Sequence, residues 1–256
     1  MAKQMDHPLR DRIVLITDAG RAVGRVFAEH LAYSGARIVL VVRSADELEE
    51  MVGVIEAGGG EASCFVVDVT DAAAVEDLIS RVERKKGPID VLINNAGTRG
   101  PKANAWECDW HEWWRAIEVN LGGAAAFCHA VIPRMVKRRR GRVVNMVSDA
   151  GVYSSPTVSA YSVSTAALIK FSENLALECQ DFLLSVFAYH PGRLPFEPGS
   201  EAFQEESARQ LASLLSGAYD SLTGRYITAY DDLDLLVARV GRPVATNDYR
   251  RLRASA

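Results

Sequence analysis

Seven apolar, β-branched runs recur along this chain: RIVLIT (12–17), ARIVLVV (36–42), ASCFVVDV (62–69), IDVLINN (89–95), GRVVNMVS (141–148), LLSVFAYH (183–190) and GRYITA (224–229). Between the first six lie segments whose apolar residues repeat with helical periodicity. Strands joined by helical crossovers pair in parallel, so this β-α-β-α order predicts a parallel sheet covered by helices on both faces. Strands that are apolar throughout fit such a buried sheet. We expect a doubly wound α/β fold of about seven strands, with a ligand at the carboxyl ends of the strands where the strand order reverses. The chain has 256 residues, 48% of them hydrophobic, and no Pro/Gly linker or internal repeat. All of 1–256 therefore reads as one domain.

A net charge of -4 argues against a nucleic-acid or anionic-membrane partner. The basic run Lys137-Arg138-Arg139-Arg140, with Arg142, is the local exception. At a helix end it reads as a solvated cap that complements the helix dipole. No segment approaches the ~20 apolar residues of a membrane span. The first residues also lack the apolar core of an export signal, so the expected location is the cytoplasm. Cys64, Cys108, Cys128 and Cys179 are widely spaced, form no CxxC pair and read as reduced core thiols, not as a metal site.

Short motifs follow the strands in order. TDAGRAVG (17–24) follows the first, Asp68-Val69 the third and Asn94-Asn95-Ala96-Gly97 the fourth. Asn120 lies in the fourth helix, Ser148 follows the fifth strand, Tyr161 stands thirteen residues later, and Pro191-Gly192 follows the sixth strand. Over nearly the whole chain this resembles the short-chain dehydrogenase/reductase family, whose fold is Rossmann-like. The resemblance implies a Ser, a Tyr and a Lys four residues beyond the Tyr, acting with NAD(P)H on carbonyls or alcohols, and an Asn that extends a water relay to the lysine. Ser148, Tyr161 and Asn120 match that catalytic set, and Thr165 stands in the lysine position. A tyrosine, with a pKa near 10, shuttles protons poorly at neutral pH unless an ammonium group lies beside it. Lys170 cannot substitute, because nine residues of helix turn through about 900° and place it on the opposite face. A lysine or arginine from elsewhere in the fold stays open.

The same resemblance assigns the nucleotide contacts. Gly24 keeps the third glycine position of the phosphate loop, while Asp18 and Ala22 replace the first and second. An alanine adds one methyl group and is tolerable. A carboxylate within ~6 Å of a diphosphate costs about 3 kcal/mol before screening at an effective dielectric of about 20, or roughly two decades of affinity. Arg21 and Arg43 stand where the family binds the 2′-phosphate, Asp68 and Val69 where it contacts adenine, and Asn95 belongs to the same cofactor set. If a dinucleotide binds, NADP is expected over NAD. The threonine that the family often carries after Pro191-Gly192 is absent from Arg193-Leu194-Pro195-Phe196.

The losses thus gather on the cofactor side, while Ser148 and Tyr161 are kept. Trp106, Tyr153 and Phe196 are expected as aromatic walls of a substrate pocket suited to a flat or polycyclic ligand. Residues at about 193–217, including Phe203, correspond to a variable substrate lid, and Trp113 and Trp114 read as packing. Strand alternation would turn Asp149 away from the serine's side. His190 reads as structural, and His111 and His129 as surface or packing residues. The favoured expectation is an enzyme that uses Ser148 and Tyr161 for non-redox acid-base chemistry on a small oxygenated substrate: dehydration, cyclisation, isomerisation or epoxide opening. On that reading no dinucleotide is bound, and a tyrosine without an adjacent ammonium donates a proton rather than accepting one. The alternative is an NADP-dependent ketone reductase or alcohol dehydrogenase with an imperfect triad, and the third a non-catalytic homologue. The resemblance also implies a homo-oligomer, dimer or tetramer.

Overall fold

All seven apolar runs form strands: β1 (Ile13–Thr17), β2 (Arg37–Val42), β3 (Glu61–Val66), β4 (Val91–Asn94), β5 (Gly141–Met146), β6 (Leu184–His190) and β7 (Tyr226–Thr228). The computed structural model describes residues 7–43, 48–192 and 200–240. Its helices are α1 (Ala22–Tyr33), α2 (Leu48–Ala57), α3 (Ala72–Lys86), α4 (Trp110–Ile117), α5 (Ala124–Arg138), α6 (Ser159–Glu178), α7 (Ser200–Ser216) and α8 (Leu233–Val240). The strands pair in parallel in the order β3-β2-β1-β4-β5-β6-β7, so the order reverses between β1 and β4. Phe27, Leu31, Leu40, Tyr189 and Leu211 belong to one apolar cluster and Leu15, Leu78, Phe127, Val131 and Val186 to a second. Together these make the single doubly wound domain that the alternation predicts. β3 departs from the uniform burial expected of its apolar run. As an edge strand it leaves Glu61 and Val66 exposed. The third and fifth runs also outlast their strands, because the chain leaves the sheet at Val67 and Val147 to build the loops at the carboxyl edge.

Two other expectations are corrected here. α4, a π-helical turn (Glu118–Gly123) and α5 continue as one helix, Trp110–Arg138, which is long and apolar enough to cross a membrane by length and composition. Its apolar residues Phe127, Val131 and Met135 are buried in the second core cluster, as in a core helix. The basic run is a solvated cap only in part: Lys137 and Arg138 lie in the last turn of α5 and Lys137, Arg139 and Arg140 are exposed, but its arginines also bond to four separate segments. Arg138 pairs with Glu83 (3.2 Å), and Arg139 donates to the Asp181 carbonyl (2.7 Å). Arg140 pairs with Asp90 (2.6 Å), and Arg142 grips Asp220 through two hydrogen bonds of 2.8 and 2.7 Å. The run therefore fastens the amino-terminal edge of the sheet, opposite the strand ends that carry the motifs.

A buried polar chain runs beneath those motifs. Asn94 Nδ2 donates to Asn145 Oδ1 and Asn145 Nδ2 to Ser172 Oγ, each at 2.8 Å, joining β4, β5 and α6. In a low-dielectric interior such groups stay buried only when partnered. The chain consequently sets the position of α6 against the strands that border the cleft.

Candidate active site

The chain leaves β1 through Asp18 at φ 52° and turns again at Ala22 at φ 49°. Both are left-handed positions, free for glycine and costing an L-residue roughly 1–2 kcal/mol. The two replacements therefore retain the glycine geometry instead of relaxing it. Aspartate visits this region more readily than most residues, whereas alanine has no polar group with which to compensate. The burden of Ala22 is thus conformational, beyond the added methyl group considered from sequence. At Gly24 a Cβ would lie 2.5 Å from the Asp18 carbonyl oxygen and 2.6 Å from Asn95 Nδ2, so only glycine fits. Asn95 braces the turn from β4, donating through Nδ2 to the carbonyls of Thr17 and Asp18 at 3.0 Å each. The Thr17 hydroxyl in turn accepts from the backbone of Asn95 and Ala96 at 2.9 Å.

The Asp18 carboxylate does not face the cleft alone. Arg21 donates from Nε to Oδ1 and from Nη2 to Oδ2, both at 3.2 Å. A guanidinium this close offsets much of the repulsion anticipated between Asp18 and a diphosphate. It also engages one of the two arginines assigned to a 2′-phosphate. The other, Arg43, is exposed at the end of β2 and lines a cavity of about 260 Å³ together with Asp68 and Val69. Hydrogen bonds from the Thr70 backbone and hydroxyl, then from Arg115, hold Asp68 below the usual carboxylate range. Arg115 reaches Asp68 at 2.9 Å from α4 across 47 positions of sequence, a partnership that no local motif announces.

A second cavity, of about 800 Å³, is lined by Ala22, Arg99, Asn120, Tyr161, Thr165 and Pro191, among others. The two cavities share Asp18, Arg21 and residues 96–98, so one cleft runs from the ends of β2 and β3, across the β1/β4 reversal, to α6. Tyr161 is half-buried within it. Thr165 is 4% exposed. A Cβ on Gly151 would come within 2.8 Å of Thr165 Cγ2, so the threonine methyl seats the short turn Asp149–Gly151 against α6. Ser148 caps that turn: its Oγ accepts from Ala150 N (3.2 Å) and donates to Asp149 Oδ1 (3.0 Å), and it is not among the residues lining the cleft. Asp149 therefore meets the serine, against the alternation argument, because β5 ends at Met146 and a strand's two-residue period stops with it.

Asn120 is positioned by the π-helical turn and is fully engaged. Its Oδ1 accepts from Thr98 N (2.8 Å), and its Nδ2 donates to Thr98 O and to Ser164 Oγ, both at 2.9 Å. It acts as a brace between the Thr98 loop and α6. Lys170 lies outside the cleft and pairs with Glu173 at 3.2 Å. His190 stacks on Tyr226 with ring centres 6.5 Å apart, and its buried Nδ1 has no hydrogen-bond partner among the described residues. Burial pushes its pKa down, and Asp149 opposes that shift in part.

Residues 12–206 match the family described as short chain dehydrogenase, three quarters of the chain and every motif of the cleft. The chain belongs to the short-chain dehydrogenase family. It is 34% identical over 194 residues to a short chain dehydrogenase of Pseudocercospora fijiensis, covering 75% of this chain and 62% of that protein. It is 35% identical over 180 residues to the fatty acyl-CoA reductase of Acinetobacter baylyi, covering 70% and 61%. The chain thus spans less than two thirds of the length of these two relatives. The crystal structure of a gluconate 5-dehydrogenase from Burkholderia cenocepacia in complex with NADP and tartrate superposes with a TM-score of 0.80 at 25% identity, covering 87% of this chain and 95% of that one. Relatives of this chain are mostly oxidoreductases by name.

Around the family's cleft, other expected residues take different places. Trp106 is 81% exposed and Tyr153 71% exposed, and neither lines the cleft, since both lie on turns whose side chains face solvent. Phe196 and the rest of 193–199 lie outside the described residues. Trp113 donates from Nε1 to Ser159 Oγ (3.0 Å), which ties α4 to the start of α6. Cys128 and Cys179 are buried and the half-buried Cys64 packs against the first core cluster, so only the half-buried Cys108 departs from the core reading. Among the described residues no group of three metal-ligating side chains comes together.

Proposed function

We propose that this short-chain dehydrogenase is an NADP(H)-dependent oxidoreductase that reduces the carbonyl of a small molecule, with Tyr161 as the proton donor. The observation that carries this reading is the Arg21–Asp18 pair, because the anionic loop is, with Ala22 and Thr165, one of the grounds for expecting a non-redox enzyme. The retained left-handed turns, the close approach at Gly24 and the cleft that continues to Arg43 all fit a dinucleotide. When bound, that group supplies the hydride. The residues that would hold it are Gly24, Asn95, Asp68, Val69 and Arg43, with Arg21 acting chiefly on Asp18. Tyr161 meets the substrate oxygen and gives it a proton from the phenol. Thr165 is uncharged, so it holds neither a ribose hydroxyl by ion-dipole attraction nor a negative phenolate, which favours reduction over alcohol oxidation. Ser148, on this reading, orients the substrate oxygen once its hydroxyl turns from Asp149. We include in the proposal that α7, the described part of the expected lid at about 193–217, borders the substrate entrance. Phe203 of α7 packs on Gly192, whose φ of 83° turns the chain beside Pro191 in the cleft.

Fluorescence titration with NADPH and NADH tests the cofactor, and a ketone panel tests turnover. NADPH is expected to bind at least about tenfold more tightly than NADH, a difference of ~1.4 kcal/mol attributable to Arg43. Tyr161→Phe is expected to lower kcat by ~10²-fold or more while leaving NADPH affinity unchanged. Failure of both dinucleotides to bind would return the chain to non-redox chemistry.

A further inference from the structure

Two guanidinium groups line the larger cavity, and their situations differ. Arg21 is gripped by Asp18, which is the one carboxylate among the described residues of the lining. Arg99 is exposed and makes no hydrogen bond or ion pair with any described residue. Among the described residues the lining thus holds two cations against one anion. Arg99 also belongs only to the part of the cleft that contains Tyr161 and Thr165; it is absent from the cavity under Arg43 and Asp68.

The backbone that carries Arg99 is clamped on both sides. Asn120 holds Thr98 through its N–H and its carbonyl. Gly100 sits at φ 67°, where a Cβ would approach the Ala116 and Ala160 methyl groups at 3.0 and 3.3 Å. Ala160 immediately precedes Tyr161, so the loop bearing the free cation rests on the first turn of the helix bearing the tyrosine. A fixed attachment point reduces the ordering cost when a long side chain engages a ligand. The planar guanidinium matches a carboxylate with two parallel N–H donors.

We propose that Arg99 binds a carboxylate of the substrate, so that oxo acids are preferred over neutral ketones. The carbonyl chemistry rests on the proposed function above; the anion preference does not. Calorimetric titration of the purified protein, with and without saturating NADP⁺, tests it using benzoylformate, 2-oxohexanoate and 3-oxohexanoate, each beside its methyl ester. At least one acid is expected to bind tenfold or more tightly than its ester, with the difference shrinking as salt is raised. Arg99→Met should bring the acid to the ester's affinity without moving the melting temperature, and Arg99→Lys should keep part of the preference. Acid and ester that bind alike in the wild type, including no measurable binding of either, overturn the proposal. So does an acid preference that survives in Arg99→Met, or a loss of NADPH affinity in that variant with acid discrimination unchanged. Failure of NADPH to bind would remove the reductase reading alone, since the acid-ester comparison is made without cofactor as well.

Discussion

A left-handed alanine is an unusual residue on which to hang a ligand loop. Ala22 adopts φ 49° because the close approach at Gly24 and the Asn95 brace dictate the course of the backbone between them. The native state carries roughly 1–2 kcal/mol of strain there, while glycine would add roughly 0.5–1 kcal/mol of unfolded-chain entropy. Ala22→Gly is therefore expected to stabilise the protein by about 0.5–1 kcal/mol, seen as a higher urea midpoint with an unchanged slope. An unchanged or lower midpoint would mean that the alanine is not strained. Thr165 makes a different point at the same scale. It is uncharged where the resemblance implies a lysine, and its methyl group seats the turn that Ser148 caps.

Between elements, the Asn94–Asn145–Ser172 chain decides how α6 lies on β4 and β5. All three residues are buried, so truncating the middle one leaves an amide and a hydroxyl without their best partners. Asn145→Ala is expected to cost about 2–4 kcal/mol in chemical denaturation, from the cavity and the lost hydrogen bonds together. Because α6 carries Tyr161, the surviving folded fraction should also turn over more slowly. A loss below about 0.5 kcal/mol would show that the chain contributes little beyond filling space. The π-helical turn between α4 and α5 works at this scale too. It directs Asn120 at once to the Thr98 loop and to Ser164.

The whole molecule should show stability that falls on both sides of neutral pH. His190 and His30 lie below the ordinary histidine value of 6.5, chiefly through burial. Asp68, Glu61 and Glu76 lie below the carboxylate range because of hydrogen bonds from Thr70, Arg37 and Arg134 respectively. In each case the folded form binds protons less readily than the unfolded chain. Stability from these groups is present above their unfolded pKa values and is lost as pH falls through the folded ones. On the alkaline side burial pushes the Cys128 thiol up to about 12 and the Cys64 thiol up to about 11. These groups hold their protons more tightly when folded, so their contribution is full below the unfolded value of 9.0 and lost as pH rises past it. Unfolding free energies should therefore plateau between about pH 6.5 and 9 and fall by roughly 2 kcal/mol at about pH 10.5 through Cys128. Cys128→Ala should remove only about half of that limb, the rest belonging to Cys64, and a flat limb in the wild type would contradict both assignments.

Much of this is written locally in the chain. Uniformly apolar runs specify all seven strands and segments of helical period the crossovers between them, the TDAGRAVG and NNAG motifs follow strand ends, and Tyr161 opens α6. The parallel sheet, the cleft at its carboxyl edge and the steric need for Gly24 all follow from the sequence. What could not be read is which group meets which across the cleft. Arg21 turns onto Asp18, Arg115 crosses to Asp68, Ser148 bonds Asp149, Trp106 and Tyr153 face solvent, and Arg99 enters the cavity of Tyr161. A periodic pattern states which face of its own strand or helix a side chain takes, and it stops where the element stops. Beyond that point direction depends on turn dihedrals and on how elements far apart in sequence are seated together, so the ends of the strands are where folding in three dimensions decides the chemistry.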